Sequence, residues 1–155
     1  MFSHDDGRYD PAPLTEYKAG MSVHQVWSTS IGSGSGLGFA PTVLGSAVYA
    51  ATPDGSVGKF DLQSGRPLWK AKTDGKLSAG AGSDGTTTAV ASPDGDVIAF
   101  DDNGKGKWKV RATSDVTIPP VVGYGIVVVR SGDYRIQAFD ANSGERVWNC
   151  LLYTS

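Results

Sequence analysis

Three tryptophans, Trp69, Trp108 and Trp148, stand 39 and 40 residues apart, and each closes a near-copy of one segment. The first copy runs Phe60-Asp61-Leu62-Gln63-Ser64-Gly65-Arg66-Pro67-Leu68-Trp69, and the third runs Phe139-Asp140-Ala141-Asn142-Ser143-Gly144-Glu145-Arg146-Val147-Trp148. The middle copy, Phe100-Asp101 through Gly104 to Trp108, is one residue shorter. A period of about 40 residues is the mark of a repeat architecture, in which each unit buries its apolar surface only against its neighbours.

Within each period the pattern is four short strands. In the first unit Ala40–Leu44, Ala47–Thr52, Ser56–Asp61 and Pro67–Lys72 are strand-like, and Gly45-Ser46, Pro53-Asp54-Gly55 and Gln63-Ser64-Gly65 are turns. The second unit repeats this over 79–82, Thr87–Ala91, Asp96–Asp101 and Lys107–Arg111, and the third over 118–122, Ile126–Arg130, Arg135–Asp140 and Arg146–Trp148. Asp-Gly pairs suit tight hairpins, because Gly takes positive φ without strain; Gly132-Asp133 is the less suitable of the set. Val97–Phe100 and Ile126–Val129 are apolar on both faces, as in a sheet sandwiched between other sheets. Four antiparallel strands per repeat predict an all-β chain of about three propeller blades. Residues 1–22 lack periodicity and read as an extended tether; 23–148 hold the blades; 149–155 break the repeat and are expected to be an aberrant, truncated tail.

Inside the repeat, Asp61, Asp101 and Asp140 are expected to form turns by accepting backbone N–H groups. Gly65, Gly104 and Gly144 are expected to supply positive φ. Trp69, Trp108 and Trp148 are expected to lie flat against an adjacent blade, burying roughly 150–250 Å² each. At about 25 cal/mol per Å² this outweighs an exposed ion pair, worth about 0–1 kcal/mol. Val26–Ile31 resembles the end of a further unit, with Trp27 in the tryptophan position.

The other composition features exclude more than they assign. The net charge is −2 and the cations are scattered, so there is no basic footprint for nucleic acid. One cysteine, Cys150, forbids an internal disulfide, and with two histidines, His4 and His24, a four-ligand zinc site has too few soft ligands. The first 20 residues are polar and contain no secretory apolar core, so either the chain is cytoplasmic or a targeting segment has been removed. The Gly32–Gly38 run lacks the Gly-Lys-Ser/Thr of a phosphate loop and leads into a strand, so it reads as a flexible entry loop. Asp5-Asp6 and Asp101-Asp102 read as solvated neighbours rather than a catalytic pair. Asp94-Gly95-Asp96 lacks the further oxygen ligands of a calcium loop, and His24 has no nucleophile beside it. Lys59, Arg66, Lys70 and Lys72 form a modest basic group at a blade edge, able to meet an acidic partner surface.

The pattern Ala-x-Asp-x-x-x-Gly-x-x-x-Trp, complete in Ala138–Trp148, resembles the tryptophan-docking motif of quinoprotein-type propellers; the first copy departs from it with Lys59, the second by its deletion. More of the chain resembles the BamB family, lipoproteins of the outer-membrane β-barrel assembly machinery of Gram-negative bacteria. The residues that carry this are Pro11-Ala12-Pro13-Leu14, Val26-Trp27-Ser28-Thr29-Ser30-Ile31-Gly32-Ser33-Gly34, Val48-Tyr49-Ala50-Ala51, Gly55-x-Val57 and Gly65-x-x-x-Trp69. The resemblance implies an eight-bladed propeller at the periplasmic face of the outer membrane. It implies a non-enzymatic scaffold that binds the periplasmic domains of BamA and other subunits of the complex, assists insertion of outer-membrane proteins and uses no cofactor. The family's mature chains begin with a lipidated cysteine, and none precedes Phe2-Ser3 here. The family's BamA-contact loop follows the third blade, so no partner-contact residue is assigned. The rival expectation is part of a dehydrogenase that uses pyrroloquinoline quinone and calcium; a generic sensor propeller is a third.

Overall fold

The computed structural model describes residues 25–34 and 38–152. The tether expected over 1–22, His4, His24, Asp5 and Asp6 lie outside the described residues, as do 35–37 of the glycine-rich loop and 153–155. Every regular element described is a strand.

Twelve strands form three four-stranded antiparallel sheets. The first sheet contains β1 (Thr42–Leu44), β2 (Ala47–Ala51), β3 (Ser56–Asp61) and β4 (Pro67–Lys72) in sequence order. The second contains β5 (Ala79–Ser83), β6 (Thr88–Ala91), β7 (Asp96–Phe100) and β8 (Gly106–Arg111); the third, β9 (Val121–Gly123), β10 (Ile126–Ser131), β11 (Arg135–Asp140) and β12 (Arg146–Leu151). The first strands converge, β1 on β5 and β5 on β9, so the sheets radiate from one side as consecutive propeller blades.

Two strands differ from the sequence expectation by three residues at one end. The third blade opens at Val121 rather than Ile118, because Pro119 and Pro120 have no N–H to give a ladder. Its last strand continues past Trp148, with Gln137 opposite Asn149, Ile136 opposite Cys150 and Arg135 opposite Leu151. Asn149–Leu151 therefore sit where Lys70–Lys72 and Lys109–Arg111 sit in the other blades, since backbone pairing continues where the side-chain motif stops.

The cores lie between blades. Ala47, Tyr49, Ala51 and Val57 of the first sheet meet Ala81, Val90 and Phe100 of the second. The opposite face of the second sheet, through Ala79, Ala89, Ala91 and Val97, meets Val127, Val129 and Phe139 of the third. Strand β6 shows the two-residue period directly, with Val90 in one core and Ala89 and Ala91 in the other. The inner strand β5 has only small residues and is wholly buried. A Cβ on Gly82 would overlap the Pro120 carbonyl oxygen, and one on Gly38 the carbonyl oxygens of Ser78 and Thr117, so neighbouring backbones approach there to a distance only glycine permits.

The hairpin tips vary in chemistry. Gly55 and Gly95 hold φ of 98° and 93° at equivalent turn positions, whereas the third blade places Tyr134 there at φ 64°. Between β9 and β10, Tyr124 takes φ 53° and stands wholly exposed. A left-handed non-glycine residue costs about 1–2 kcal/mol, and glycine loses more entropy on folding. Tyr124→Gly is therefore expected to raise stability by about 0.5–1 kcal/mol, read as a higher urea midpoint with an unchanged m-value.

Candidate functional site at the blade seams

The repeat motif residues converge at the seams, with Trp27, Trp69 and Trp108 each on the turn of the blade that follows it. In all three blades the ladder between third and fourth strands slips by one residue before the motif aspartate, at Lys59/Phe60, Ala99/Phe100 and Ala138/Phe139. This bulge bends the strand and re-aims the aspartate into the turn. The Asp140 carboxylate accepts the N–H groups of Asn142 (2.8 Å) and Ser143 (2.9 Å), and Asp61 accepts the N–H (2.9 Å) and hydroxyl (2.7 Å) of Ser64. Asp101 accepts the N–H groups of Asn103 (2.8 Å) and Lys105 (3.0 Å). These donors hold all three carboxyls below the ordinary aspartate range, the Ser64 hydroxyl leading for Asp61, the Lys105 amide for Asp101 and the Ser143 amide for Asp140.

Gly65, Gly104 and Gly144 have φ of 74°, 82° and 79°. Each presents a bare Cα to an indole: Gly65 to Trp27, Gly104 to Trp69 and Gly144 to Trp108. Trp69 also tilts against Phe100 (centroids 6.2 Å apart) and Trp108 against Phe139 (6.4 Å). Trp27 is part of this series. Trp148 is not: no docking turn follows it among the described residues, and it stands 42% exposed.

The deletion in the second copy has a local consequence. Trp27 Nε1 donates to the Leu62 carbonyl (2.5 Å) and Trp108 Nε1 to the Ala141 carbonyl (2.8 Å), each the residue after the motif aspartate. Those turns close over five residues, with Gly65 N–H donating to Asp61 O and Gly144 N–H to Asp140 O. The shortened turn closes over four, Gly104 N–H donating to Asp101 O, and Trp69 Nε1 is buried without a partner. At this same seam Lys59, the residue that departs from the motif in the first copy, bridges to Asp102 at 3.0 Å with its ammonium 5.7 Å from the centre of the Tyr49 ring. Asp102 is the chief reason the Lys59 ammonium is held above its usual range. Both departures from the repeat thus meet across one interface. The spacing of the tryptophans located this interface; the pairing of Lys59 with Asp102 had no sequence signal beyond the two departures.

At the opposite end of the seams, hairpin aspartates tie the first and third blades to the connectors entering them. Asp54 accepts the Thr52 hydroxyl (2.5 Å), the Ser33 N–H (3.0 Å) and the Ser56 N–H (3.1 Å). Asp133 accepts the hydroxyls of Ser131 (2.5 Å) and Thr113 (2.7 Å). The buried Gln137 completes the latter network, its amide donating to Ser131 Oγ (2.9 Å) and Thr113 Oγ1 (3.0 Å). These donors lower both carboxyls, the Thr52 hydroxyl first for Asp54 and the Ser131 hydroxyl first for Asp133. A depressed folded-state pKa adds stability above the unfolded value of about 3.9 and loses it as pH falls toward the folded value. Melting temperature is therefore expected to fall below about pH 4. Asp54→Asn, which has no such proton to take up, is expected to show a shallower fall over the same range.

No group of three or more His, Cys, Asp or Glu side chains among the described residues could hold a metal ion. Lys70 donates to the Ser30 carbonyl (3.2 Å) and Lys72 lies 3.6 Å from Asp54, so these members of the basic group brace the first seam; Arg66 is exposed. Cys150 is exposed on β12.

The family model described as outer membrane protein assembly factor BamB matches residues 53–154. The chain belongs to the BamB family. It is 75% identical over 149 residues to the outer membrane protein assembly factor BamB of Bordetella pertussis, covering 96% of this chain and 39% of that protein. The BamB of Burkholderia pseudomallei is 43% identical, with 94% and 38% covered. The chain thus spans about two fifths of these BamB relatives. The crystal structure of BamB from Moraxella catarrhalis shares the fold, with a TM-score of 0.66 at 24% identity over 74% of this chain and 35% of that one. A europium-containing methanol dehydrogenase gives a TM-score of 0.64 at 26% identity, with 82% and 27% covered. BamB proteins and quinoprotein-like dehydrogenases therefore share this blade architecture, which by itself does not choose a function.

Proposed function

We propose that the chain acts as a non-enzymatic scaffold in outer-membrane protein assembly, engaging the periplasmic domains of BamA from the periplasmic face of the outer membrane, with the lipid anchor of its family. The observation that carries this reading is the 75% identity, over nearly the whole chain, to a protein named as an assembly factor. The seam geometry supports it. Trp27, Trp69 and Trp108 each lie over a glycine turn, so three of the four indoles are packed between units and are not open to stack on a quinone. The motif carboxylates accept amides of their own turns, which leaves them as turn locks rather than bases. A catalytic reading draws on the methanol dehydrogenase likeness.

The two separate in one experiment on the full-length protein. The scaffold reading expects capture of purified BamA periplasmic domains and no quinone absorbance after incubation with pyrroloquinoline quinone and calcium. Quinone uptake with alcohol-dependent dye reduction, and no BamA capture, overturns it.

A further inference from the structure

The outer edges of the three blades differ in one respect. Strands β4, β8 and β12 end their sheets, and no strand pairs with their outer side. Each ladder fixes which of their residues turn backbone groups outward. Thr73 N–H donates to Gly55 O (2.8 Å), Ala112 N–H to Gly95 O (2.8 Å) and Leu152 N–H to Tyr134 O (2.7 Å). In an antiparallel pair, residues that exchange hydrogen bonds alternate with residues whose N–H and C=O face away. Stepping back by two from those bonds, Ala71, Val110 and Cys150 face their own sheets. Lys70 and Lys72 of β4, Lys109 and Arg111 of β8, and Asn149 and Leu151 of β12 turn their N–H and C=O groups outward.

In the first two blades all of these outward residues are cations, and in the third neither is. An outward row of N–H and C=O groups is a template for another strand, and lysines guard such an edge. A second copy of β4, paired antiparallel with the first, sets Lys70 opposite the partner's Lys72, and β8 likewise sets Lys109 opposite the partner's Arg111. Like charges directly opposite are destabilising. β12 sets Asn149 opposite the partner's Leu151. Its edge is also apolar, with Val147, Leu151 and Leu152 standing 54%, 42% and 50% exposed. A following blade does not cover such an edge. β4 and β8 each have one packed against a face, and Lys70, Lys72, Lys109 and Arg111 remain exposed.

We propose that β12 is a self-association site, at which two copies of this chain pair edge to edge, antiparallel about a twofold axis at Cys150. The two third blades thereby join into one continuous sheet. In this register Asn149 and the partner's Leu151 exchange both backbone hydrogen bonds, and symmetry repeats the exchange. The pairing stays clear of the bulge at Ala138/Phe139, and the two Arg146 side chains stand at opposite ends of the joined strands. The inference does not rest on the scaffold reading, since it uses no property of BamA or of the outer membrane.

The test is sedimentation equilibrium of the full chain in reducing buffer, with amide exchange followed by NMR on the same samples. A short strand interface is weak, so dimers are expected with a dissociation constant on the order of 100 µM. Between about 10 µM and about 500 µM chain, exchange of the Asn149 and Leu151 amides is expected to slow, while that of the Lys70, Lys72, Lys109 and Arg111 amides stays constant. Asn149→Lys with Leu151→Lys copies the β4 edge and is expected to weaken the dimer about tenfold, through the like-charge pairs it sets opposite each other. Asn149→Gln with Leu151→Met adds no charge and is expected to dimerise as the parent does. The proposal is overturned by a monomer at about 500 µM, by assembly that runs past the dimer, or by a dimer whose Asn149 and Leu151 amides exchange as in dilute chain. Unweakened association of the correctly folded lysine variant overturns it equally.

Discussion

Trp108→Ala is expected to lower unfolding free energy by about 3–5 kcal/mol, measured by urea denaturation followed through the circular dichroism of the strands. The indole joins the second blade to the third: it lies on Gly144, tilts against Phe139 and packs on the larger core. Removing it opens a void that the facing glycine turn cannot fill. It also orphans the Ala141 carbonyl, whose partner is Trp108 Nε1. A pair of milder variants isolates the second effect. Trp108→Phe loses ring area and a hydrogen bond, whereas Trp69→Phe loses ring area and a buried N–H that had no partner. Trp108→Phe is expected to cost more than Trp69→Phe by about 1 kcal/mol or more, the value of leaving a buried polar group unpaired. Equal costs would show that the shortened second turn carries no energetic consequence.

Gly82→Ala is expected to cost about 3 kcal/mol, for the opposite reason. Here an atom is added rather than removed. The added methyl overlaps the Pro120 carbonyl oxygen, an atom of the neighbouring blade's backbone that cannot rotate away as a side chain can. The second and third blades must part where β5 meets the segment before β9, loosening a core in which Ala79, Val116 and Val127 are fully buried. Gly75→Ala is the control, since its added Cβ faces open space. A Gly82→Ala melt indistinguishable from that of Gly75→Ala would refute the close approach.

The repeat made the fold legible. Indoles at a fixed spacing, glycine turns between short apolar runs and a middle sheet apolar on both faces leave few architectures that bury everything, and stacked four-stranded blades satisfy all three. Strand limits were less legible where local chemistry and ladder pairing disagree. Pro119 and Pro120 delay β9, and β12 runs on through Cys150 because its neighbour β11 still offers partners. Tyr134 at positive φ illustrates a third case: a hairpin held by its flanking ladder and by Asp133 tolerates a residue that turn preference would reject.

The candidate site divides along the same line. Residue order alone determined that Asp, Gly and Trp recur as a unit, that one turn is a residue short, that Lys59 breaks the motif, and which family the chain resembles. These are properties of spacing, and spacing is carried along the chain. Only the tertiary structure decided that Trp27, Trp69 and Trp108 each serve the turn of the next blade, that Lys59 and Asp102 meet 43 residues apart, and that Trp69 is left with an unpaired N–H. Those are properties of contact between units. A repeat sequence specifies each unit nearly alike, and the differences acquire their meaning only where two units are pressed together and water is excluded between them.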